Sequence, residues 1–178
     1  MKCEFDDNIF DLQKADFDAL ALKIFRFQYQ NNQVYRQFCD TLDTNPDGVK
    51  LVEQIPFLPI SLFKTQRVIC GEFEPALVFE SSGTTQTINS KHYLKNASLY
   101  HQSFIRAFEL FYGSPSDYCI LALLPAYLER SNSSLVLMVD ELIKMSHHPS
   151  GGFYLYDHQA LQKVLQSLES LGQKTLLI

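Results

Sequence analysis

The run Ser81-Ser82-Gly83-Thr84-Thr85 brings together residue types that hold a phosphate through neutral donors. Its four hydroxyls and the backbone N–H groups around them can each donate to a phosphate oxygen. Gly83, without a Cβ, lets the chain turn tightly and come close to an anion. Gln86 follows directly and offers a further amide donor, Lys91 is the next cation along the chain, and His92 stands beside it. The same composition also makes ordinary turns, so the flanking elements have to decide between the two readings. The sequence contains no Gly-x-x-x-x-Gly-Lys-Ser/Thr, no Gly-x-Gly-x-x-Gly and no Gly-x-Ser-x-Gly. A Walker-type nucleotidase, a dinucleotide enzyme and a serine hydrolase each lack their signature.

Other polar residues carry less. Glu129 and Arg130 follow an apolar run through Leu124-Pro125 and could line a cleft or form a solvated pair. His92 could cap a helix or touch a substrate. Cys3, Cys39, Cys70 and Cys119 are widely spaced, with no Cys-x-x-Cys pair, and reduced thiols are the simplest reading. Cys119 lies within an apolar run and reads as an inert core thiol. His147 and His148 are adjacent, so their side chains diverge on any regular element, and no metal site is expected.

The elements that must position these residues are legible in the hydrophobic spacing. Phe17, Leu20, Ile24 and Phe27 share one face after a candidate Asp16 cap, and Val34, Tyr35, Phe38 and Leu42 repeat the pattern, giving two amphipathic helices closed by a turn at Asp43-Thr44-Asn45-Pro46-Asp47-Gly48. Ile55-Pro56-Phe57-Leu58-Pro59 and the residues to Lys64 predict an extended, docked strap, because prolines three apart forbid a regular helix. Lys64 itself reads as a solvated lysine.

From Ala76 the rhythm becomes strand and helix in alternation. Ala76-Leu77-Val78-Phe79 predicts a buried strand, followed by the Ser/Thr run and a helix over about 93–111, with Ala97, Tyr100, Phe104, Ala107, Phe108 and Phe111 inward. Strands over 118–124, 153–156 and 175–178 alternate with helices centred on Leu135 to Ile143 and Leu161 to Leu171, the latter ended by Gly172. The expected fold is therefore α/β: a largely parallel sheet flanked by helices and preceded by an N-terminal helical segment. Residues 1–70 would form that helical segment and strap, and 71–178 an α/β nucleotide-binding half-domain. Since ligands of open parallel sheets sit beyond the carboxyl ends of the strands, Ser81 to Thr85 would lie at such an end, with the positive end of a helix downstream.

Composition bounds the function classes. The 178 residues are 46% hydrophobic and 20% charged, which suits a globular core, and the net charge of −5 is dispersed, with no basic run to track a nucleic acid. No stretch approaches a membrane span, and the acidic start Met1-Lys2-Cys3-Glu4-Phe5-Asp6-Asp7 is unlike a signal peptide, so a cytoplasmic location without membrane insertion is expected. The chain stops within the apolar run Thr175-Leu176-Leu177-Ile178, and a fragment of a longer protein is the expectation.

Phe79-Glu80-Ser81-Ser82-Gly83-Thr84-Thr85, followed by Ser90, His92, Tyr93 and Tyr100, resembles the LuxE-type acyl-protein synthetases, a branch of the adenylate-forming superfamily. Ile55-Pro56-Phe57-Leu58-Pro59 with Phe63-Lys64 is similar to that family's entry segment. Leu124-Pro125-Ala126-Tyr127-Leu128-Glu129-Arg130, Ser133-Ser134-Leu135 and Met138-Val139-Asp140 are similar downstream, so the resemblance runs from about Ile55 to Tyr156.

The resemblance implies an ATP-dependent enzyme that activates a carboxylic acid, typically a fatty acid, as an acyl-adenylate and passes it to a thiol, within the enzyme or on a partner such as an acyl-CoA reductase or carrier protein. It also implies that Ser81, Ser82, Gly83, Thr84 and Thr85 cradle the ATP phosphates while Mg2+ offsets their charge. Gln86 and Lys91 accompany them, and Glu129, Arg130 and His92 are the candidates for catalysis. Two departures stand out: Gln86 occupies a position usually held by glycine, and the customary lysine is displaced to Lys91. The superfamily's later ribose-binding acid and lysine-bearing C-terminal domain have no counterpart in these residues, so an incomplete N-terminal domain without turnover of its own is expected. The alternatives are a non-catalytic binding or assembly module of an acyl-transfer or acyl-reductase complex, and a nucleotide- or anion-binding regulatory domain.

Overall fold

In the computed structural model, which describes residue 5 and residues 9–81, 88–125 and 131–178, the N-terminal apolar spacing produces helices α1 (Phe17–Asn31) and α2 (Gln33–Thr41). The break between them is made by Asn32, whose extended backbone stops α1 and whose side-chain oxygen accepts from the Tyr35 N–H at 3.1 Å. An asparagine that caps in this way satisfies one of the orphan donors of the new helix. Asp16, the expected cap of α1, makes no side-chain cap bond; a single 3-10 turn, Lys14–Asp16, leads into the helix instead. The inward face of α1 is carried by Leu22, Phe25 and Tyr29 rather than by the expected stripe, and Phe17 is 54% exposed. Helix α1 is apolar on more than one side, so helical period alone admits both stripes, and packing against Tyr35 and Cys39 of α2 selects one.

Phe25, Tyr35, Cys39 and Val49 form the core of this region, and the strap docks on it through Ile55 and Leu58. Tyr35 also donates its hydroxyl to the Pro56 carbonyl at 2.7 Å, satisfying a polar tip inside an apolar site. Desolvation raises the pKa of Tyr35 and of the Cys39 thiol, so both are neutral near pH 7. The strap is not extended to its end: Leu62–Thr65 forms one helical turn, α3. Pro59 lies just before that turn, where its carbonyl accepts from the Leu62 N–H and its missing N–H costs nothing.

Strand β1 (Leu77–Glu80) pairs antiparallel with β2 (Lys91–Leu94) in the register Leu77↔Leu94, Val78↔Tyr93, Phe79↔His92 and Glu80↔Lys91. This corrects the expected strand, loop and helix order. Lys91-His92-Tyr93-Leu94 is a strand, and α4 (Ala97–Tyr112) starts beyond it. The cross-strand pairing of Leu94 with Leu77 buries Leu94 to 9% exposure, which an isolated first helical turn would not achieve.

The chain forms two compact units, Met1–Ala97 and Ser98–Ile178. The β1–β2 hairpin belongs to the first. The second holds α4 and a parallel sheet of β3 (Cys119–Ala122), β4 (Gly152–Phe153) and β5 (Thr175–Leu177), in the order β4-β3-β5, with α5 (Ser134–Ser146) and α6 (His158–Ser170) as the connections. Every residue of β3 is fully buried. Its alternation feeds two layers: Ile120 packs with Phe104, Phe108 and Leu142 of α4 and α5, whereas Cys119 and Leu121 pack with Leu161 and Leu168 of α6. Burial raises the Cys119 pKa, consistent with an inert thiol.

The expected helix and strand alternation is present here, with local signals that explain it. Ser133 and Asp157 accept from the Val136 and Ala160 N–H groups at 3.4 and 2.8 Å to start α5 and α6. Gly172, at φ +66°, follows the end of α6. Gly151 permits the close approach of the α5–β4 connection to the sheet, where a Cβ would stand 3.1 Å from the His148 carbonyl and 3.4 Å from that of Ile120. Phe111, expected inward, is 77% exposed because the buried stripe of α4 runs through Phe104 and Phe108. The fold class is thus α/β, a parallel sheet flanked by helices and preceded by N-terminal helices.

Candidate phosphate-binding site

The Ser/Thr/Gly run connects β1 to β2. The expectation that it leaves the carboxyl end of a parallel strand is therefore overturned: its first strand belongs to a two-stranded antiparallel sheet. Ser82, Gly83, Thr84, Thr85 and Gln86 lie outside the described residues, as do Glu129 and Arg130. What the structure describes is the neck from which the run departs.

Ser81 donates its N–H to the Ser90 carbonyl at 3.1 Å, continuing the strand ladder by one rung. Ser90 returns its N–H to Ser81 Oγ at 3.0 Å. A serine hydroxyl has two acceptor lone pairs and one donor hydrogen. The Ser81–Ser90 contact uses an acceptor and leaves the Ser81 O–H able to donate. One step back along the strands, Lys91 Nζ lies 3.6 Å from Glu80 Oε1. The nearest downstream cation is therefore matched with a carboxylate across the hairpin.

On the opposite face of the hairpin, His92 stands beside Phe79 and meets the Phe63 ring edge-on at 6.5 Å. Its residue surface remains exposed, yet desolvation lowers the imidazole pKa, and the side chain is neutral at pH 7. The strap thus helps position His92 through α3. On the face shared with Lys91, the Arg67 guanidinium lies over the Tyr93 ring at 5.5 Å from its centroid and 3.6 Å from Glu72 Oε2. Glu80, Ser90 and Phe63 stood in the blocks that carry the resemblance but without assigned contacts, and Arg67 was not singled out at all. Opposite charges flanking the run at Glu80 and Lys91 are compatible with a hairpin, but neither short segment alternates, and the pairing itself is what identifies it.

A model of the LuxE acyl-protein synthetase family matches residues 4–142. The chain belongs to the LuxE acyl-protein synthetase family. The match takes in the N-terminal helices as well as the hairpin, and ends within α5, so it begins well before the blocks that carry the sequence resemblance. No curated protein and no solved structure matches the chain. Membership implies acyl-protein synthetase activity in general, with an acyl substrate and a carrier or reductase partner.

Other family-like residues take structural places. Tyr100 packs beside Phe104 and donates its hydroxyl to the Ser134 carbonyl at 2.9 Å, and burial raises its pKa. Asp140 lies 2.7 Å from Lys144, which also meets Glu141 at 2.9 Å; these hydrogen bonds raise the Lys144 pKa. His147 adopts the left-handed conformation after α5, and His148 Nδ1 accepts from the Ser150 N–H at 3.1 Å. Among the described residues, no three His, Cys, Asp or Glu side chains group so as to hold a metal ion, and no helix is long and apolar enough to cross a membrane.

Proposed function

We propose that the chain carries the ATP phosphate-binding element of an AMP-forming acyl-protein synthetase whose substrate is a fatty acid. In the first half-reaction a carboxylate oxygen attacks the α-phosphorus of ATP, the bond to the bridging oxygen breaks, and pyrophosphate leaves. In the second, a thiolate sulfur attacks the carbonyl carbon of the acyl-adenylate, AMP departs with the electron pair of the broken C–O bond, and a thioester remains on an acyl-CoA reductase, a carrier protein or the enzyme itself. The observation that carries this reading is the placement of Ser81 to Gln86 between strands held in register by the Ser81–Ser90 and Glu80–Lys91 contacts, inside the family match. A donor-rich connection on a fixed neck suits a reaction in which the protein mainly positions phosphates and stabilises charge.

In this reading Ser81, Ser82, Thr84 and Thr85 donate hydroxyls to the β- and γ-phosphates, Gly83 allows close approach, and Gln86 and Lys91 supply an amide and a charge. The described residues offer no cage of carboxylates, and Glu80 is the carboxylate next to the run. That donor set fits magnesium carried in on the polyphosphate, since Mg2+ binds through few carboxylates and substrate phosphates. When bound, it would offset negative charge on the transferred group. His92 lies two rungs from Ser81 on the same face of the hairpin, so its part is holding the strap through Phe63 or meeting the acid; Glu129 and Arg130 complete the candidates for catalysis.

The test is acid-dependent exchange of pyrophosphate into ATP by the complete natural protein and its Thr84→Val/Thr85→Val variant. Hydrogen bonds to charged groups contribute about 1.5–3 kcal/mol each, so the double variant should lose at least about 100-fold in exchange with an unchanged fold. Retained exchange would reduce the run to a turn, and ATP binding that ignores the acid would favour a regulatory domain.

A further inference from the structure

We propose that a polar groove between α2 and the chain that follows α3 binds an extended segment of a partner polypeptide, through its peptide groups and one carboxylate. The groove has a volume of about 430 Å3. Ligand pockets of that size are lined mostly by apolar and aromatic side chains. This one is lined chiefly by amides: Gln33 and Gln37 of α2 on one wall, Gln66 on the other, and Asn31 at the end of α1. Val34 and Ile69 alone supply aliphatic side chains among its described lining residues, too little to bed an acyl chain.

Helical period explains the first wall. Tyr35 and Cys39 turn into the core, which leaves Gln33 and Gln37 on the other side of α2. The second wall is tied in place: the Gly71 N–H donates to the Asn31 carbonyl at 2.9 Å, and Cys70 Sγ donates to Gln28 Oε1 at 3.0 Å. Between those ties and α3, Gln66 is extended, and Arg67, Val68 and Ile69 belong to no helix or strand. Among the described residues, the backbone groups of Val68 and Ile69 make no hydrogen bond, and neither do the side-chain amides of Gln33, Gln37 and Gln66. A carboxamide carries the same donor and acceptor as a peptide group. Open backbone groups along an extended chain are what an added strand pairs with. Both walls therefore offer partners to a polypeptide main chain.

Arg67 supplies the charge-specific contact. Its guanidinium lies over the Tyr93 ring, 5.5 Å from the centroid, and its Nη2 donates to the Phe73 carbonyl at 3.2 Å. Glu72 Oε2 is 3.6 Å from Nη1, too far for a good hydrogen bond, and the Glu72 side chain is 89% exposed. A guanidinium held in this way is pre-oriented, with donors left for a ligand carboxylate that displaces Glu72. Arg67 is the only cation among the described lining residues, so the groove matches a single carboxylate rather than a polyanion.

Panning a random peptide library against the folded wild-type chain, followed by anisotropy titration of the selected peptides, tests this, with thermal melting to verify each variant. Selected peptides should share an Asp or Glu and bind Gln33→Ala/Gln37→Ala at least about fivefold more weakly. They should weaken by about 10- to 150-fold in Arg67→Gln and recover in part in Arg67→Lys. Hydrogen exchange at the Val68 and Ile69 amides should slow when peptide is bound. Selected peptides that lack a carboxylate, or that bind R67Q as tightly as wild type, overturn the role of Arg67. Peptides that bind Q33A/Q37A as tightly as wild type, or no enrichment of any peptide, overturn the groove as a peptide site. A dimer in sedimentation that Gln37→Arg dissociates would assign the groove to a second copy of this chain, and overturns the proposal as well.

Discussion

Replacing Ser81 with alanine separates two jobs that its hydroxyl can hold. The Ser90 N–H bonds to Ser81 Oγ at 3.0 Å, and Ser81 is exposed at the neck of the hairpin. Losing that acceptor frees an N–H that water can reach, so the stability cost sits at the low end of the usual range, about 0.5 kcal/mol. For a chain of this size that lowers the melting temperature by about 1–2 °C. The ladder bond from the Ser81 N–H to the Ser90 carbonyl survives the change, as does the Glu80–Lys91 pair. If the Ser81 O–H also donates to a phosphate, its removal costs about 1.5–3 kcal/mol of binding, or about 10- to 150-fold in MgATP affinity. Calorimetric titration with MgATP and a melting curve on the same samples read both quantities. A small stability change with a large affinity loss is expected. An affinity loss under about threefold in a protein that melts normally would refute phosphate donation by Ser81 and leave it a fastener of the neck.

Asn32→Ala should lower stability by about 2 kcal/mol and the melting temperature by about 4–8 °C, since it removes a helix cap at a site only 4% exposed and a partner of Gln28; Asn32→Ser should recover part of the loss, and equal melting of N32A and wild type would discount the cap. His92 is the sole histidine of residues 1–97, and its folded-state pKa lies below the ordinary 6.5. The unfolded chain therefore takes up that proton first, and stability falls as pH drops from about 6.5 towards the folded pKa, then levels off below it. His92→Phe keeps an aromatic ring against Phe63 and should flatten this part of the profile; melting curves from about pH 7.5 to about pH 5 that stay parallel to wild type would contradict the assignment.

How far the sequence could be read depended on length and redundancy. The second unit was legible because its helices carry several independent marks: the stripe Leu161 to Leu168 of α6 begins with the Asp157 cap and ends before Gly172. A four-residue strand has no such redundancy. Lys91-His92-Tyr93-Leu94 merges with the apolar helical spacing that follows from Ala97, and only pairing with β1 reveals it. The face of α1 was ambiguous for the opposite reason, an excess of apolar residues. At the site, composition pointed to phosphate, while the charge relation of Glu80 to Lys91 depended on a register that no single segment specifies.

Strand β3 has a consequence for how the protein is made. Its partner in β5 stands 56 residues further along, and α5, β4 and α6 also follow it in the chain. During synthesis at about 5–20 residues per second, Cys119-Ile120-Leu121-Ala122 waits several seconds with no companion strand. Non-local pairing of this kind makes folding slow and exposes an aggregation-prone segment meanwhile. Nascent chains halted shortly after Ala122 should therefore be held by chaperones, and the extension through Thr175–Leu177 should release them.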